Sequence, residues 1–322
     1  MRAIIIHEPG GPEVLKLEER PIPKAEHGKV LIRVKAFGLN RSEMYTRQGH
    51  TPDFTYPRVL GIECAGVVEE CPSGRWEKGQ QVVAIMGGMG RLYDGGYAEF
   101  TLVPERIVRA FSSDLSWEIL GAIPEMFQTA NGSLEDALEL KAGEKLLIRG
   151  GTSSVGMMSA QIAKRMGAYV IATTRSEHKR EALMENGVDQ VLIDDGELEE
   201  KIWDHHPKGI DKVLELIGTR TLRDSLKCTK PRGIVCQTGI LGNEWIMDDF
   251  QPFMDLPNLV RLTAYGGDAD NLPEEGLQKF LDDISAGLIK INIDKVFQMD
   301  EIVAAHTHME ANKAKGKLVV LT

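Results

Sequence analysis

The chain has 322 residues, 42% of them hydrophobic and 27% charged, with a formal net charge of −10. That length suits about two domains, and the ordinary apolar content excludes disorder as the main state. The acidic balance argues against nucleic acid as the main partner, since binding phosphates needs a basic surface. No apolar run approaches the ~18 residues of a membrane span. The stretch Ala3–Ile6 is too short for the apolar region of a signal peptide, so the expected location is the cytoplasm.

Residues 1 to about 120 carry short β-like runs separated by Gly- and Pro-rich turns: Lys29–Lys35, Ala65–Glu69, Gln80–Ile85, Tyr97–Val103 and Ile107–Phe111. Such spacing predicts a compact β barrel or sandwich. From about residue 143 the texture changes to strand, helix, strand. Lys145–Arg149 is a short apolar strand. Val155, Met158, Ile162 and Met166 then recur at helical spacing, and Gly167 is placed to end that helix. Tyr169–Thr173 is the next strand, and Ser176 is placed to cap a helix running to Gly187. Gln190–Ile193, Lys212–Ile217, Gly233–Thr238 and Val260–Tyr265 complete six strands, the number in a doubly wound dinucleotide-binding sheet. Residues 274–322 read as two helices and a last strand, Lys317–Leu321, which should pack back onto the first domain.

Gly150-Gly151-Thr152-Ser153-Ser154-Val155-Gly156 lies between the first of these strands and its helix. It nearly matches G-x-G-x-x-G, with Gly151 first, Ser153 in second place and Gly156 third. Such a turn lets a pyrophosphate approach the backbone closely, and the helix N-terminus offers it unpaired N–H groups. An NAD site wants an acid at the tip of the second strand. Here Thr174, Arg175, Ser176 and Lys179 gather there, which predicts NADP(H), because Arg is a planar partner for phosphate. The competing reading, a solvated basic first turn, puts the wrong charge at a helix N-terminus.

Four cysteines occur, at 64, 71, 228 and 236, with no C-x-x-C pair. Cys64, Cys228 and Cys236 read as small buried hydrophobes, and Cys71 as an exposed turn residue. His205-His206 and His306-x-His308 do not face one another at helical spacing, so they read as surface residues.

Beyond these readings, several segments resemble one family. They are Pro9-Gly10-Gly11-Pro12-Glu13-Val14-Leu15, Gly38-Leu39-Asn40 through Tyr45 to Gly49, Gly61-Ile62-Glu63-Cys64-Ala65-Gly66, Gly95-Gly96-Tyr97-Ala98-Glu99, the glycine-rich turn, and Gly316-Lys317-Leu318-Val319. Over essentially its whole length the chain is similar to the zinc-independent medium-chain dehydrogenases/reductases of the quinone oxidoreductase type. The resemblance implies an α/β protein: a GroES-like β-barrel domain (1–122 and 266–322) plus a Rossmann domain (123–265) with a doubly wound, parallel six-stranded sheet. It places the active site in the cleft between them. Zinc-dependent relatives hold the metal through a Cys near position 40 and a His at the place of Ile62; this chain has neither, so no metal is expected.

By resemblance, Asn40 and Tyr45 flank the nicotinamide and the substrate, and either can donate a hydrogen bond to a carbonyl. Thr129 contacts the nicotinamide ribose. Ile217 and Gly218, and Thr238, Gly239 and Ile240, end the fourth and fifth strands and face the cofactor. Lys317 reaches it near the C-terminus. Asp194-Asp195 stand where some relatives have a Tyr on the 2′-phosphate, and acids there would repel it. The expected activity is NADPH-dependent reduction of a small quinone or α,β-unsaturated carbonyl by a homodimer. The alternatives are an enoyl thioester reductase, or a nucleotide-binding sensor or structural protein with little catalysis.

Overall fold

A computed structural model describes residues 1–311 and 314–322, which divide into two compact units. One comprises Met1–Glu125 with Asp268–Thr322, the other Met126–Gly267. The first unit opens with β1 (Arg2–Ile6), β2 (Lys16–Glu19), β3 (Lys29–Gly38), the short helix α1 (Arg41–Arg47), β4 (Arg58–Val59), β5 (Glu63–Glu70), β6 (Gln81–Ile85), β7 (Phe100–Pro104) and β8 (Val108–Ala110). The second unit contains β9 (Lys145–Arg149), α2 (Ser154–Arg165), β10 (Tyr169–Thr174), β11 (Gln190–Ile193), β12 (Ile210–Glu215), β13 (Thr229–Gln237) and β14 (Arg261–Ala264). The chain then returns to the first unit with β15 (Ile293–Gln298) and β16 (Lys317–Leu321).

In the first unit, β2-β1-β4 form a small antiparallel sheet, and β15-β16-β3-β5-β6-β8 a larger, mostly antiparallel one. The ten-residue β3 is the organiser. It pairs with β5, its first half also pairs with β7, and its last three residues pair with β16. The C-terminal strand therefore lies beside the end of β3, just before Asn40. Sequence patterning finds the five expected runs, with ends shifted by a few residues. It does not identify β1, whose Ala3–Ile6 is wholly buried, or β15 between the last two helices.

In the second unit the sheet order is β11-β10-β9-β12-β13-β14, with every recorded pairing parallel. β9 and β12 are buried along most of their length, which is why they read as near-continuous apolar runs. Leu147, Ile171, Val213 and Val235 from the sheet pack with Leu198, Ile202, Leu222 and Leu226 in one core. The helix expected after the glycine turn is α2. Ser153 caps it by accepting from Gly156 N at 3.1 Å, and Gly167 at φ 83° turns the chain out of it.

Three expectations are corrected. Ser176 makes no side-chain cap; Thr174 Oγ1 accepts from Ser176 N instead, and a 3-10 turn at Glu177–Lys179 precedes the helix Arg180–Glu185. His206 and His306 are buried rather than on the surface. His306 shares the inward face of the helix Ile302–Glu310 with Ile302, Ala305 and Met309, and burial pushes its pKa down to about 3. Cys71 is half-buried in its turn, whereas Cys64, Cys228 and Cys236 lie in the core.

Candidate active site

In the first unit, Asn40 lies two residues past the end of β3 and is the N-cap of α1. Glu43, three residues on, accepts from Asn40 N at 3.1 Å, so the capping box fixes the start of the helix. The other oxygen of Glu43 accepts from Ile62 N at 3.0 Å. Asn40 Nδ2 donates to Glu63 at 2.9 Å and to Glu43 at 3.4 Å, while Asn40 Oδ1 accepts from Lys317 Nζ. Lys317 also lies 2.9 Å from Glu63 and 3.3 Å from Glu125. The far oxygen of Glu63 accepts from Glu125 N at 2.7 Å. The side chains of Glu63 and Lys317 are 0% and 2% exposed. Gly38 makes room for this packing, since a Cβ there would meet the Glu63 carboxylate and the Lys317 stem.

This cluster is electrostatically tight. Burial opposes the Lys317 charge, but Glu63 and Glu125 outweigh it and hold the ammonium protonated. Burial is also the main reason the Glu43 carboxyl is pushed up to about 7, with the Ile62 amide pulling the other way. Lys317, expected to reach a cofactor, directs its ammonium to Asn40, Glu63 and Glu125. Asn40, expected to offer its amide to a carbonyl, directs both amide hydrogens to carboxylates. Tyr45, on the same short helix, is 8% exposed, with its ring edge-on to His50 at 6.3 Å.

The zinc positions of the wider fold family can be tested against these contacts. Asn40 is a weak neutral donor whose oxygen is already taken by an ammonium, and Ile62 offers no side-chain ligand. A dication here would have to displace Lys317 from Glu63. Among the described residues no group of three or more His, Cys, Asp or Glu could hold a metal ion. The residues present do not fit zinc.

In the second unit the predicted cofactor residues gather at the carboxyl ends of the parallel strands. The glycine turn follows β9, and Thr174–Ser176 lie at the end of β10. Ile217 and Gly218 follow β12; Thr238–Ile240 follow β13. With β9 between β10 and β12, the strand order reverses there, the switch point where such sheets bind dinucleotides. The turn fits a pyrophosphate. A Cβ on Gly156 would lie 2.7 Å from Gly150 O, and one on Gly151 would lie 2.8 Å from the Ala172 Cβ. Ser153 takes the Gly156 amide, and the first amides of α2, at Ser154 and Val155, stand at the positive end of a twelve-residue helix. Arg175 is exposed, Thr174 is buried within its turn, and Ser176 and Lys179 are partly exposed. Thr129, in the helix Pro124–Gly132, donates to Gln128 Oε1 at 3.3 Å, and Thr238 shares a hydroxyl contact of 2.9 Å with Ser133.

Behind these tips lies an ion network that sequence reasoning missed. Arg149, the last residue of β9, is fully buried and grips Asp194 through two bonds of 2.9 Å. It also meets Asp224, Thr221 O and Ser225 Oγ. Burial opposes its charge, yet Asp194 prevails and holds it ionised; Arg149 in turn overcomes burial to keep the Asp194 carboxyl below its ordinary range. Of the two acids expected to repel a phosphate, Asp194 is thus engaged by Arg149, a cation it shares with Asp224, and Asp195 pairs with Lys201. The signal available in the sequence was an Arg closing an otherwise apolar strand directly before a glycine turn.

Comparison with known proteins agrees with this architecture. Residues 26–112 match the family model described as alcohol dehydrogenase GroES-like domain, and residues 154–279 that described as zinc-binding dehydrogenase. A pig quinone oxidoreductase is 31% identical over 255 residues, covering 75% of this chain and 74% of that protein. A 2-haloacrylate reductase from a Burkholderia species is 28% identical, covering 99% and 98%. A mycobacterial protein solved in complex with NADPH superposes with a TM-score of 0.87 at 25% identity, over 100% of both chains. The chain belongs to the medium-chain dehydrogenase/reductase family, among the quinone oxidoreductases.

Proposed function

We propose that the chain is an NADPH-dependent reductase that delivers hydride to quinones or α,β-unsaturated carbonyls without a metal. The observation that carries this reading is the strand tip beside the glycine turn, where Arg175 is exposed and the Asp194 carboxylate is turned onto Arg149 by two bonds. When bound, the nicotinamide supplies the hydride. The Ser154 and Val155 amides hold the pyrophosphate, and Arg175, with Thr174, Ser176 and Lys179, takes the 2′-phosphate. Thr129, Ile217, Gly218, Thr238, Gly239 and Ile240 line the nicotinamide half. Tyr45 donates its hydroxyl hydrogen to the acceptor carbonyl as negative charge builds on oxygen. Asn40 positions the start of α1, and with it Tyr45, through its bonds to Glu43, Glu63 and Lys317.

The likeness to a 2-haloacrylate reductase supports activated alkenes beside quinones as acceptors. The test is a panel of NADPH and NADH oxidation rates with quinones, alkenals and enoyl thioesters, repeated with Tyr45→Phe. The variant keeps the ring and removes the donor. We expect its kcat on enones to fall by about 10² to 10³, with less effect on quinones, which accept hydride more readily, and unchanged NADPH affinity. No acceptor-dependent NADPH oxidation by the wild type would leave a nucleotide-binding sensor as the better reading.

No helix among the described residues is long and apolar enough to cross a membrane, and a cytoplasmic location is part of the proposal. So is a homodimer, in which the edge strand β14 pairs across a two-fold axis; sedimentation equilibrium tests it.

A further inference from the structure

Glu215, the last residue of β12, is wholly buried and points its carboxylate back into the turn that follows it. One oxygen accepts from two successive backbone amides, Ile217 N at 2.8 Å and Gly218 N at 3.1 Å. The other accepts from Ser225 Oγ at 2.5 Å, and that hydroxyl also receives Arg149 Nη1 at 3.2 Å. The backbone carbonyl of Glu215 accepts in addition from Thr238 N and Gly239 N. Leu241 N and Gly242 N then bond to Leu216 O and Ile217 O, locking the turns after β12 and β13 together. Gly218 has φ 104° and ψ −151°, a conformation open only to glycine, and a Cβ there would lie 3.1 Å from Gly239 O. A turn of this shape has to be held, and the Glu215 carboxylate is the group that holds it.

We infer that Glu215 is a positioning residue for the nicotinamide half of the cofactor site. It acts through the Ile217–Gly218 and Thr238–Ile240 turns without touching the ligand. The inference rests on the cofactor reading above. In a doubly wound sheet the first three strands bind one mononucleotide and the last three the other. Here β9 and β10 carry the glycine turn and Arg175, the adenosine side, while β12 and β13 carry the turns that Glu215 organises. Its two amide bonds therefore act on one half of a dinucleotide, and its only link toward the other half named above is indirect, through Ser225 to Arg149. Neutral Gln in its place keeps an acceptor oxygen for the two amides, and the Ser225 hydroxyl can turn to accept from the new amide group. Met fills the space and leaves both amides buried without an acceptor.

The experiment compares two probes by titration calorimetry on the full chain: NADPH, and adenosine 2′,5′-bisphosphate, which lacks the nicotinamide half. For Glu215→Met we expect NADPH to bind about 10- to 100-fold more weakly, while the bisphosphate stays within about twofold. For Glu215→Gln we expect NADPH affinity to return to within about threefold of the wild type. Equal weakening of both probes, or undiminished NADPH binding by Glu215→Met, overturns the inference. Should Glu215→Met fail to fold, Ser225→Ala removes one bond to the carboxylate together with the bond its hydroxyl accepts from Arg149, which Asp194, Asp224 and Thr221 O still hold. It should weaken NADPH by about threefold and the bisphosphate clearly less, and equal shifts again overturn the inference. If the wild type binds neither probe, the cofactor reading itself falls and the role of Glu215 with it.

Discussion

Removing the Lys317 ammonium should destabilise the first unit severely. In Lys317→Met, the Glu63 carboxylate loses its buried cation while its own exposure stays at 0%. An unpaired buried charge of this kind costs about 3–5 kcal/mol. The carboxylate can escape only by taking up a proton, which at pH 7 costs ~3–4 kcal/mol from an ordinary Glu pKa, so the two routes give the same size. For a unit in the 150–250-residue class this lowers Tm by roughly 6–20 °C. Thermal unfolding by circular dichroism at pH 7 measures the loss, and hydrogen exchange at β3, β5 and β16 assigns it to this unit. The double variant Glu63→Gln/Lys317→Met removes both charges and should recover more than half of the loss. A drop of less than about 2 °C, or a double variant as unstable as the two losses added together, would show that water reaches the cluster and that the burial argument is wrong. A fall in NADPH affinity with unchanged Tm would instead return Lys317 to the cofactor, where the family resemblance places it.

Arg175→Ala should weaken NADPH by about 10-fold or more and leave NADH nearly unchanged, because the lost contact is to the 2′-phosphate alone; fluorescence titration with both cofactors decides, and equal weakening makes Arg175 merely structural. Glu43 holds its proton up to about 7 in the fold, against 4.5 ordinarily. The folded state therefore binds the extra proton, and this contribution to stability, ~3 kcal/mol, fades as pH rises from ~4.5 through 7 and is gone above it. Glu43→Gln cannot ionise, so its Tm relative to the wild type should climb between pH 5 and pH 8; a pH-independent difference refutes the assignment. Exhaustive chelation should leave the reductase rate intact, and activity lost to chelator and restored by zinc would refute the donor-set argument.

The second unit was the more legible half of the chain. Strands such as Lys145–Arg149 and Gln190–Ile193 are buried on both faces, so their apolar runs stand out against the helices between them. The run Lys212–Ile217 misled at its end because apolarity carries no sign of where a ladder stops. Leu216 and Ile217 leave the strand where the Glu215 carboxylate captures the amides of Ile217 and Gly218. In the first unit, β15 was hidden because only one of its six residues is fully buried, so its pattern is that of a surface segment. The ion clusters were illegible for another reason. Glu43, Glu63, Glu125 and Lys317 lie far apart in sequence, and only the pairing of β16 with the end of β3 brings the last of them to Asn40.

The same cluster explains why position 40 can hold an asparagine at all. Glu63 is wholly buried beside it, and a buried carboxylate needs a cation. In this chain a cation is supplied covalently, by Lys317 on the C-terminal strand, and with it the hydrogen bonding of the Asn40 side chain is complete before any ligand arrives. That completeness has a chemical consequence. With both amide hydrogens of Asn40 drawn to carboxylates and its oxygen to the ammonium, the site has neither a Lewis-acidic metal position nor an amide hydrogen to spare for a substrate. In the proposed mechanism the polarisation of an acceptor carbonyl falls to the Tyr45 hydroxyl, on the helix that Asn40 and Glu43 anchor. Such a donor is far weaker than a dication. It suits acceptors such as quinones and enones, in which conjugation already spreads the incoming charge, better than the carbonyls of simple aldehydes and ketones.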